Sequence, residues 1–304
     1  MDSDHANGTT LTWDGVDVAA LLGLSGGAGH FESIRSEDNR NGRVFGGQLL
    51  GQALRAAQAT VPAGRAASAL HVLFAQGAMV DQPIRYAVSA LQDGKRFSSR
   101  RVEASQTGRS VVEAHVTFQT PATGLEHALG PYQPVPPPEE LAPMSALAGQ
   151  GGELAGHDWG WFQKPCLELR VADPARHLVH ASPTPHASFW VRLRTPLNDD
   201  MAMHAAALAY LSDYWINTAA LTHHVPLKNV IGNFYVASLN HSLWLHRPCR
   251  ADGWLLFSTE SPSTHNGRSL TTARIYDRAG ALVASAAQEC LLAEREQPGP
   301  AVFA

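Results

Sequence analysis

The feature that most constrains this chain is an internal repeat. The segment DGKRFSSRRV, which begins at Asp93, continues through a turn at Gly108 into SVVEAHVTFQT, and NGRSLTTARIY, which begins at Asn266, continues through Gly280 into ALVASAAQECL. The segments SALHVLF and SLNHSLW form a third matching pair. All three pairs align at a nearly constant offset of about 170 residues, as expected of a duplicated unit. The repeat predicts that the chain folds as an internal dimer of two similar halves.

A Pro-rich segment separates the two halves. PYQPVPPPEELAP, over residues 131–143, is followed by the Gly/Ala-rich MSALAGQGGELAG, and both compositions are typical of an extended connection. We therefore predict an N-terminal half over residues 15–130, a linker over 131–156 and a C-terminal half over 157–295. With 304 residues, of which 44% are hydrophobic, the chain is long enough to bury two medium-sized cores.

Each half begins with a predicted helix that is followed by alternating, strand-like runs. The first helix covers residues 44–57, and its glycines would let strand backbone approach closely. The second covers residues 199–221, with Asn198 placed as its N-cap. A helix followed by a twisted antiparallel sheet is typical of an α+β half in which the sheet wraps the helix.

Charge and cysteine content narrow the classes of function. The net charge of −4 comes from 23 basic and 27 acidic residues without a long run of one sign, which argues against a nucleic-acid partner. Cys166, Cys249 and Cys290 form neither a disulfide framework nor a CxxC metal pattern, and they favour a reducing compartment. The first fifteen residues lack the pattern of a signal peptide, and no apolar run approaches the roughly 20 residues of a membrane span. We expect a cytoplasmic protein with a small ligand and no membrane span.

Two polar residues stand in apolar patterns. On the second predicted helix Asp213 shares a face with Ala209 and other apolar residues, and a carboxylate there needs a partner or a chemical role. On the last predicted strand, alternation puts Gln288 on one face with Ala286 and Cys290. An unpaired buried amide costs about 1–3 kcal/mol, so Gln288 should have defined hydrogen-bond partners. Taken singly, each residue is more typical of a satisfied polar group in a core.

Six ordered motifs resemble those of the acyl-CoA thioesterase II family, over a span from about Leu21 to Leu292. They are RVFGGQLLGQAL, DGKRFSSRRV, HVTFQTP with GLEH just after it, AYLSDYW, VASLNHSLWLHRP and GALVASAAQE. The resemblance implies a double hot-dog fold, in which two antiparallel sheets are each wrapped around a central helix. It also implies hydrolysis of fatty-acyl-CoA by a catalytic trio of Asp213, Ser238 and Gln288. We expect neither a cofactor nor a metal.

The chemistry of these three side chains suits the activation of a water molecule. Asp213 can act as the general base, while Ser238 and Gln288 can each bond the same water and hold it near its line of attack. The alternative is that Ser238 is a nucleophile activated by His241 or His246. It is weaker, because no G-x-S-x-G elbow surrounds Ser238.

The start of the first helix is a candidate site for the oxyanion of the transition state. Gly46, Gly47 and Gln48 would present free backbone N–H groups, and the helix dipole favours negative charge there. Close packing under the sheet would explain the same glycines equally well. Both interpretations remain open at this point.

Contacts to the CoA moiety are less clearly marked. Arg100, Arg101 and Arg268 are candidates, although strand alternation points Arg100 and Arg101 to opposite faces, so that at most one of the two can serve. Asn240 stands where the family usually carries an aspartate, and Cys290 replaces a glycine. A thioester carried by a carrier protein is therefore an alternative substrate.

Two other classes of function stay open on the sequence alone. A hot-dog hydratase or dehydratase would need a histidine that faces Asp213, and an acyl-thioester binding protein would need no catalytic group. His223 and His224 lack a third ligand at metal spacing, so we expect a solvated helix end there. Hot-dog sheets also leave edge strands that pairing would cover, which predicts a homodimer or a larger homo-oligomer.

Overall fold

The computed structural model describes residues 11–39 and 42–295. The first ten residues, on which the expectation about a signal peptide partly rests, lie outside the described residues. The elements of the N-terminal half are β1 (Leu11–Thr12), α1 (Val18–Leu21), β2 (Leu24–Gly27), β3 (His30–Ser33), β4 (Arg35–Ser36), α2 (Gly46–Gln58), β5 (Ala66–Phe74), β6 (Arg85–Asp93), β7 (Phe97–Gln106) and β8 (Arg109–Gln119).

The C-terminal half follows a stretch that contains only short 3-10 turns, over residues 138–140, 144–150, 152–154 and 159–162. A single π turn covers residues 175–179, between the first two strands of this half. The elements are β9 (Leu167–Val171), β10 (His186–Leu193), α3 (Met201–Ser212), α4 (Thr218–Thr222), α5 (Leu227–Asn233), β11 (Phe234–Leu245), β12 (Leu255–His265), β13 (Arg268–Asp277) and β14 (Leu282–Glu294). No helix in the described parts of the chain has the length and apolar content to cross a bilayer.

Twelve strands form one continuous sheet, in the order β2-β3-β6-β7-β8-β5-β11-β14-β13-β12-β10-β9, while β1 and β4 pair separately in parallel. The block β6-β7-β8-β5 is mirrored by β12-β13-β14-β11, as the repeat predicts. Gly108 and Gly280 occupy equivalent turns with φ of 75° and 86°, a conformation that favours glycine. Strands β5 and β11 pair antiparallel at the centre. The two expected sheets are therefore joined edge to edge, because each of these strands satisfies the backbone groups of the other.

Helix α2 packs on the first block of strands and also on α3 of the other half. A methyl group on Gly47 would lie 2.4 Å from the carbonyl oxygen of Tyr210, and one on Gly51 would lie 3.0 Å from that of Ala206. Both carbonyls belong to α3. The expectation that the α2 glycines admit strand backbone is therefore wrong at these two positions, because what they admit is a neighbouring helix.

The second predicted helix is interrupted. Helix α3 ends at Ser212 and α4 begins only at Thr218, with Trp215 at a φ of 62° between them. The Ser212 hydroxyl donates to the Ala209 carbonyl at 2.8 Å, a local side-chain bond that competes with the helical pattern. Asp213 is therefore the residue that ends α3, and it does not lie midway along an apolar stripe.

The start of α3 also differs from the expectation. The N-cap is Asp200, whose carboxylate accepts the N–H of Ala202 at 2.9 Å. Asn198 lies two residues upstream, and its side-chain oxygen accepts the N–H of Asp200 at 3.2 Å. Asn198 thus supports the cap without being the cap, because an Asp side chain is equally able to bond the first free N–H groups of a helix.

All three cysteines are free thiols. Burial raises the pKa of Cys166 and of Cys290 to about 11, and that of Cys249 to about 12. Cys290 lies on the buried face of β14 together with Gln288, as the alternation predicts, and its Sγ is 3.0 Å from the hydroxyl of Ser269. A thiol whose pKa is raised in this way has little reactive thiolate at neutral pH.

Candidate active site

The two halves meet where the N-terminus of α2 faces the C-terminus of α3. Gly46 is the first residue of α2, and a methyl group there would lie 2.6 Å from Asp213 Oδ2. The half-buried carboxylate of Asp213 therefore sits against the positive end of the α2 dipole, which favours a negative charge. Only a residue without a side chain can occupy the position of Gly46.

The three side chains predicted as a catalytic trio form a chain of hydrogen bonds. The Ser238 hydroxyl donates to Asp213 Oδ1 at 3.1 Å, and Gln288 Nε2 donates to Ser238 Oγ at 2.9 Å. Asp213 ends α3, Ser238 lies on β11 and Gln288 lies fully buried on β14. Three elements that are well separated in sequence thus bring these groups together.

His241 lies directly behind Gln288. The two residues are cross-strand partners of β11 and β14, and His241 Nδ1 contacts Gln288 Oε1, while its Nε2 lies 2.9 Å from Ser212 Oγ. An amide oxygen can only accept, so Nδ1 carries the proton. The Ser212 hydroxyl has a single proton, which it can give either to the Ala209 carbonyl or to Nε2, so Nε2 competes with that carbonyl for it. Complete burial lowers the pKa of His241, although the charge of Asp213 and the bond to Gln288 oppose the shift. Burial therefore disfavours the charged ring.

A β-bulge in β11 allows both Ser238 and His241 to reach the same amide. In a regular strand, residues three apart point to opposite faces of the sheet. The register between β11 and β14 shifts between Ser238 and Asn240, so that one extra residue is inserted there. Ser238 and His241 consequently share the face that carries Gln288. Sequence reasoning considered His241 only as a base for Ser238 and missed its contact with Gln288.

Two of the three predicted oxyanion donors are available. The backbone N–H groups of Gly46 and Gly47 have no acceptor among the residues that the structure describes, whereas that of Gln48 donates to the Phe45 carbonyl at 3.1 Å. The Gln48 side chain is buried and accepts the backbone N–H of Glu37 at 2.7 Å. Gln48 therefore fixes the segment that precedes α2, and its own N–H is not free to bind an oxyanion.

A charged cluster lies under the start of α2. Lys164 Nζ is 2.7 Å from Glu37 Oε1, with side chains that are only 18% and 9% exposed, and the Tyr210 hydroxyl donates to Glu37 Oε2 at 3.0 Å. The ammonium also lies 3.0 Å from the centre of the Phe45 ring. Burial lowers the pKa of Lys164, and the nearby Glu37 carboxylate opposes that shift. No periodic pattern marks Glu37 or Lys164, and sequence reasoning missed both.

The arginines predicted to contact CoA are already engaged. Arg100 is 2% exposed, and its guanidinium pairs with Asp93 at 3.0 Å and donates to the Thr60 carbonyl at 2.9 Å. It is not accessible to a phosphate, which corrects the expectation for this residue. The other two form half-exposed ion pairs, Arg101 with Glu113 at 2.9 Å and Arg268 with Glu289 at 2.5 Å.

The remaining histidines of interest have ordinary partners. His223 Nδ1 lies 2.8 Å from the Ser182 carbonyl oxygen, and His224 is exposed beside it. His246 Nε2 lies 2.9 Å from the hydroxyl of Ser285. Within residues 11–39 and 42–295, no group of three or more His, Cys, Asp or Glu side chains is arranged to hold a metal ion.

Comparison with known proteins identifies relatives over most of the chain. The family described as "Acyl-CoA thioesterase N-terminal domain" matches residues 35–119, and "Acyl-CoA thioesterase C-terminal domain" matches residues 138–292. Acyl-coenzyme A thioesterase 8 of Mus musculus is 34% identical over 266 residues, which is 84% of this chain and 82% of that protein. Acyl-CoA thioesterase 2 of Haemophilus influenzae is 29% identical over 263 residues, which is 84% of this chain and 90% of that protein.

Solved structures agree with these relatives. The acyl-CoA thioesterase II TesB2 of Mycobacterium marinum superposes with a TM-score of 0.76 at 29% identity, covering 92% of this chain and 99% of that one. A protein from Alicyclobacillus acidocaldarius, described as having the hot dog fold, has a TM-score of 0.72 at 19% identity, covering 91% of this chain and 99% of that one, and supports the fold alone. The chain has a hot-dog fold and belongs to the acyl-CoA thioesterase II family.

Proposed function

We propose that this chain hydrolyses fatty-acyl-CoA thioesters to the free acid and CoA. The observation that carries the proposal is the hydrogen-bonded chain of Asp213, Ser238 and Gln288 at the N-terminus of α2. Membership of a family whose relatives are named acyl-CoA thioesterases supports the same reaction.

The proposed mechanism uses an activated water. Asp213 takes a proton from the water while the water oxygen attacks the thioester carbonyl carbon. Ser238 and Gln288 hold the Asp213 carboxylate and the water in position. The negative charge that develops on the carbonyl oxygen is bound by the free N–H groups of Gly46 and Gly47. When the tetrahedral intermediate collapses, the C–S bond breaks and the proton held by Asp213 passes to the leaving thiolate.

The contacts of the histidines disfavour the two catalytic alternatives. A hydratase or dehydratase needs a histidine facing Asp213, but both ring nitrogens of His241 are occupied by Ser212 and Gln288. A Ser238 nucleophile activated by His241 or His246 would need one of these rings at its hydroxyl, yet the groups bonded to Ser238 Oγ are Asp213 and Gln288. Neither histidine is therefore placed to activate Ser238, and His241 has no free ring nitrogen for the hydration of an enoyl thioester.

The test is to incubate the protein with acyl-CoAs of graded chain length and to follow the release of free thiol. We expect turnover that depends on the length of the acyl chain. A change in enoyl absorbance without thiol release would identify a hydratase, and saturable binding without turnover would identify a binding protein. An acyl group on a carrier protein, tested beside the matching acyl-CoA, would separate the two thioester classes.

Ser238 and Gln288 are expected to matter less than the base. Ser238→Ala and Gln288→Ala should each lower kcat by about tenfold, because each removes one group that orders the site but leaves Asp213 in place. The double variant should lose less than the product of the two single losses, since the groups act as a unit. Ser238→Thr should stay active, because it retains the hydroxyl. Additive losses in steady-state kinetics would contradict this coupling.

His241 is expected to act as a positioning residue for Gln288. His241→Leu removes the donor that fixes Gln288 Oε1 and should lower kcat by about tenfold with little change in KM. His241→Asn places an amide N–H near the position of Nδ1 and should recover part of the loss. Equal kcat values for the two variants, with equal thermal stability, would mean that the ring serves only to fill space.

The proposal also covers the division of the chain into halves, its location and its oligomeric state. We propose the division into halves over residues 15–130 and 157–295 with a linker over 131–156, and a hot-dog arrangement in which each half of the sheet wraps its helix. We also propose a cytoplasmic location and a homodimer or larger homo-oligomer. The terminal strands β2 and β9 support assembly, because among the described residues each pairs on one side only. A monomer by light scattering at micromolar concentration would contradict the oligomer.

A further inference from the structure

A cleft of about 290 Å³ opens beside the start of α2. Arg43 and Arg109 lie in its wall, together with Gln76, Gly77 and Gln106. The buried amide of Gln106 pins the segment around it, because it accepts the N–H of residue 79 at 2.7 Å and donates to the carbonyl of the same residue at 2.9 Å. The floor of the cleft is therefore held in place by side-chain bonds before any ligand arrives.

The two arginines of this cleft are exposed and have no acidic partner. Throughout residues 11–39 and 42–295, no carboxylate lies within 4 Å of Arg43 or Arg109, whereas Arg100, Arg101 and Arg268 all form ion pairs. Arg43 Nη1 does contact the sulfur of Met79, but a thioether is only a weak acceptor. A guanidinium without a carboxylate partner presents a planar fork of donors that suits the oxygens of a phosphate. Two such guanidinium groups in the wall of one cleft favour an anionic ligand.

The cleft adjoins the candidate active site through both of its walls. Arg43 is only three residues before Gly46, a distance of at most about 11 Å along the chain. On the other wall, the Phe74 ring lies 3.4 Å from the position that a methyl on Gly46 would take, and the chain runs on from Phe74 directly to Gln76 and Gly77. A ligand bound at Gly46 can therefore extend into the cleft without crossing the sheet.

We propose that Arg43 and Arg109 bind phosphate groups of the CoA moiety. The inference rests on the proposed function, because it assigns one end of the proposed substrate. With the thioester held at Gly46 and Gly47, the pyrophosphate and the 3′-phosphate of CoA must lie outside the site, and this cleft offers two unpaired cations beside it. The site is distinct from the positions of Arg100, Arg101 and Arg268.

The test compares two substrates that carry the same acyl chain, an acyl-CoA and an acyl-pantetheine that lacks all phosphates. Arg43→Gln and Arg109→Gln should each raise KM for the acyl-CoA by about tenfold and leave kcat nearly unchanged. KM for the acyl-pantetheine should not change in either variant. The effect on acyl-CoA should shrink at high ionic strength, because exposed charges are screened by salt.

Arg85→Gln is the matched control, since Arg85 is also exposed and lies in the same half but is paired with Glu32. It should leave KM for both substrates unchanged. An unchanged KM for acyl-CoA in the Arg43→Gln/Arg109→Gln double variant, or an equal rise for both substrates, would overturn the proposal. Calorimetric binding of free CoA to the same proteins tests the cleft independently of turnover, so a failure of thiol release would refute the proposed function without deciding this inference.

Discussion

Asp213→Asn is expected to lower kcat by about 10²–10⁴-fold, the range that a general base contributes. The amide keeps the shape of the carboxylate and can still accept the hydrogen bond that the Ser238 hydroxyl donates at 3.1 Å. What it loses is the ability to take a proton from water. Because substrate binding does not need that proton transfer, KM should change little, and the loss should be visible in single-turnover measurements as well.

The fold of this variant should survive. Asp213 is half-buried at the end of α3, where its contribution to the helix is made by the backbone, whose N–H donates to the Leu211 carbonyl. Asp199→Asn is a suitable control, since Asp199 is a highly exposed carboxylate paired with Arg250 and should have no effect on turnover. Wild-type turnover by Asp213→Asn, or an acyl group trapped on Ser238 and detected by mass spectrometry, would refute the water mechanism.

The duplication and the face of the last strand could be predicted from the sequence because both rest on short-range periodicity. Turn glycines at equivalent positions fix where strands begin, and period-two alternation fixes which side chains point inward. Gln288 is buried as predicted, on the same face of β14 as Ala286 and Cys290. Such patterns survive in the sequence because a shift of one residue would turn every side chain to the other face.

The interruption after Asp213 could not be predicted in the same way. Ala209, Ile216 and Ala220 share one face at helical spacing, so periodicity alone continues through the break. The positive φ of Trp215 is a tertiary feature that no local preference would favour. The expectation of one helix over residues 199–221 failed because tertiary packing overrode local propensity.

The bulge and the buried ion pair also escaped the sequence analysis. Alternation assumes a regular strand, so it assigns Ser238 and His241 to opposite faces, and only the extra residue in β11 brings them together. Glu37 and Lys164 lie in different halves, and an ion pair between residues so far apart in the chain produces no periodic pattern in the sequence. The predicted CoA contact of Arg100 is wrong for a related reason, since the sequence alone does not distinguish a buried guanidinium from an accessible one.

The ion pair of Lys164 and Glu37 leads to the largest expected effect on stability. Lys164→Met keeps much of the length of the side chain but leaves the Glu37 carboxylate buried without its cation. Breaking a buried pair in this way costs about 3 kcal/mol or more. In a chain of this size the midpoint of thermal unfolding should fall by about 5 °C or more. The double variant Glu37→Gln/Lys164→Met should lose much less than the sum of the two single variants, because neither charge is then left unpaired.

The pH dependence of the unfolding midpoint of Glu37→Gln tests the same ion pair in a second way. Burial already lowers the pKa of Lys164, and removing the opposing carboxylate should lower it further. Between that lowered pKa and the ordinary value of about 10.4, the unfolded chain binds more protons than the folded one, so the free energy of unfolding should rise with pH. Unfolding midpoints of Glu37→Gln should therefore increase from pH 7 to pH 10 relative to the double variant, which has no lysine at this position. Parallel curves for the two proteins would mean that Lys164 is well solvated in the folded state, and the predicted loss of stability in Lys164→Met would then be absent as well.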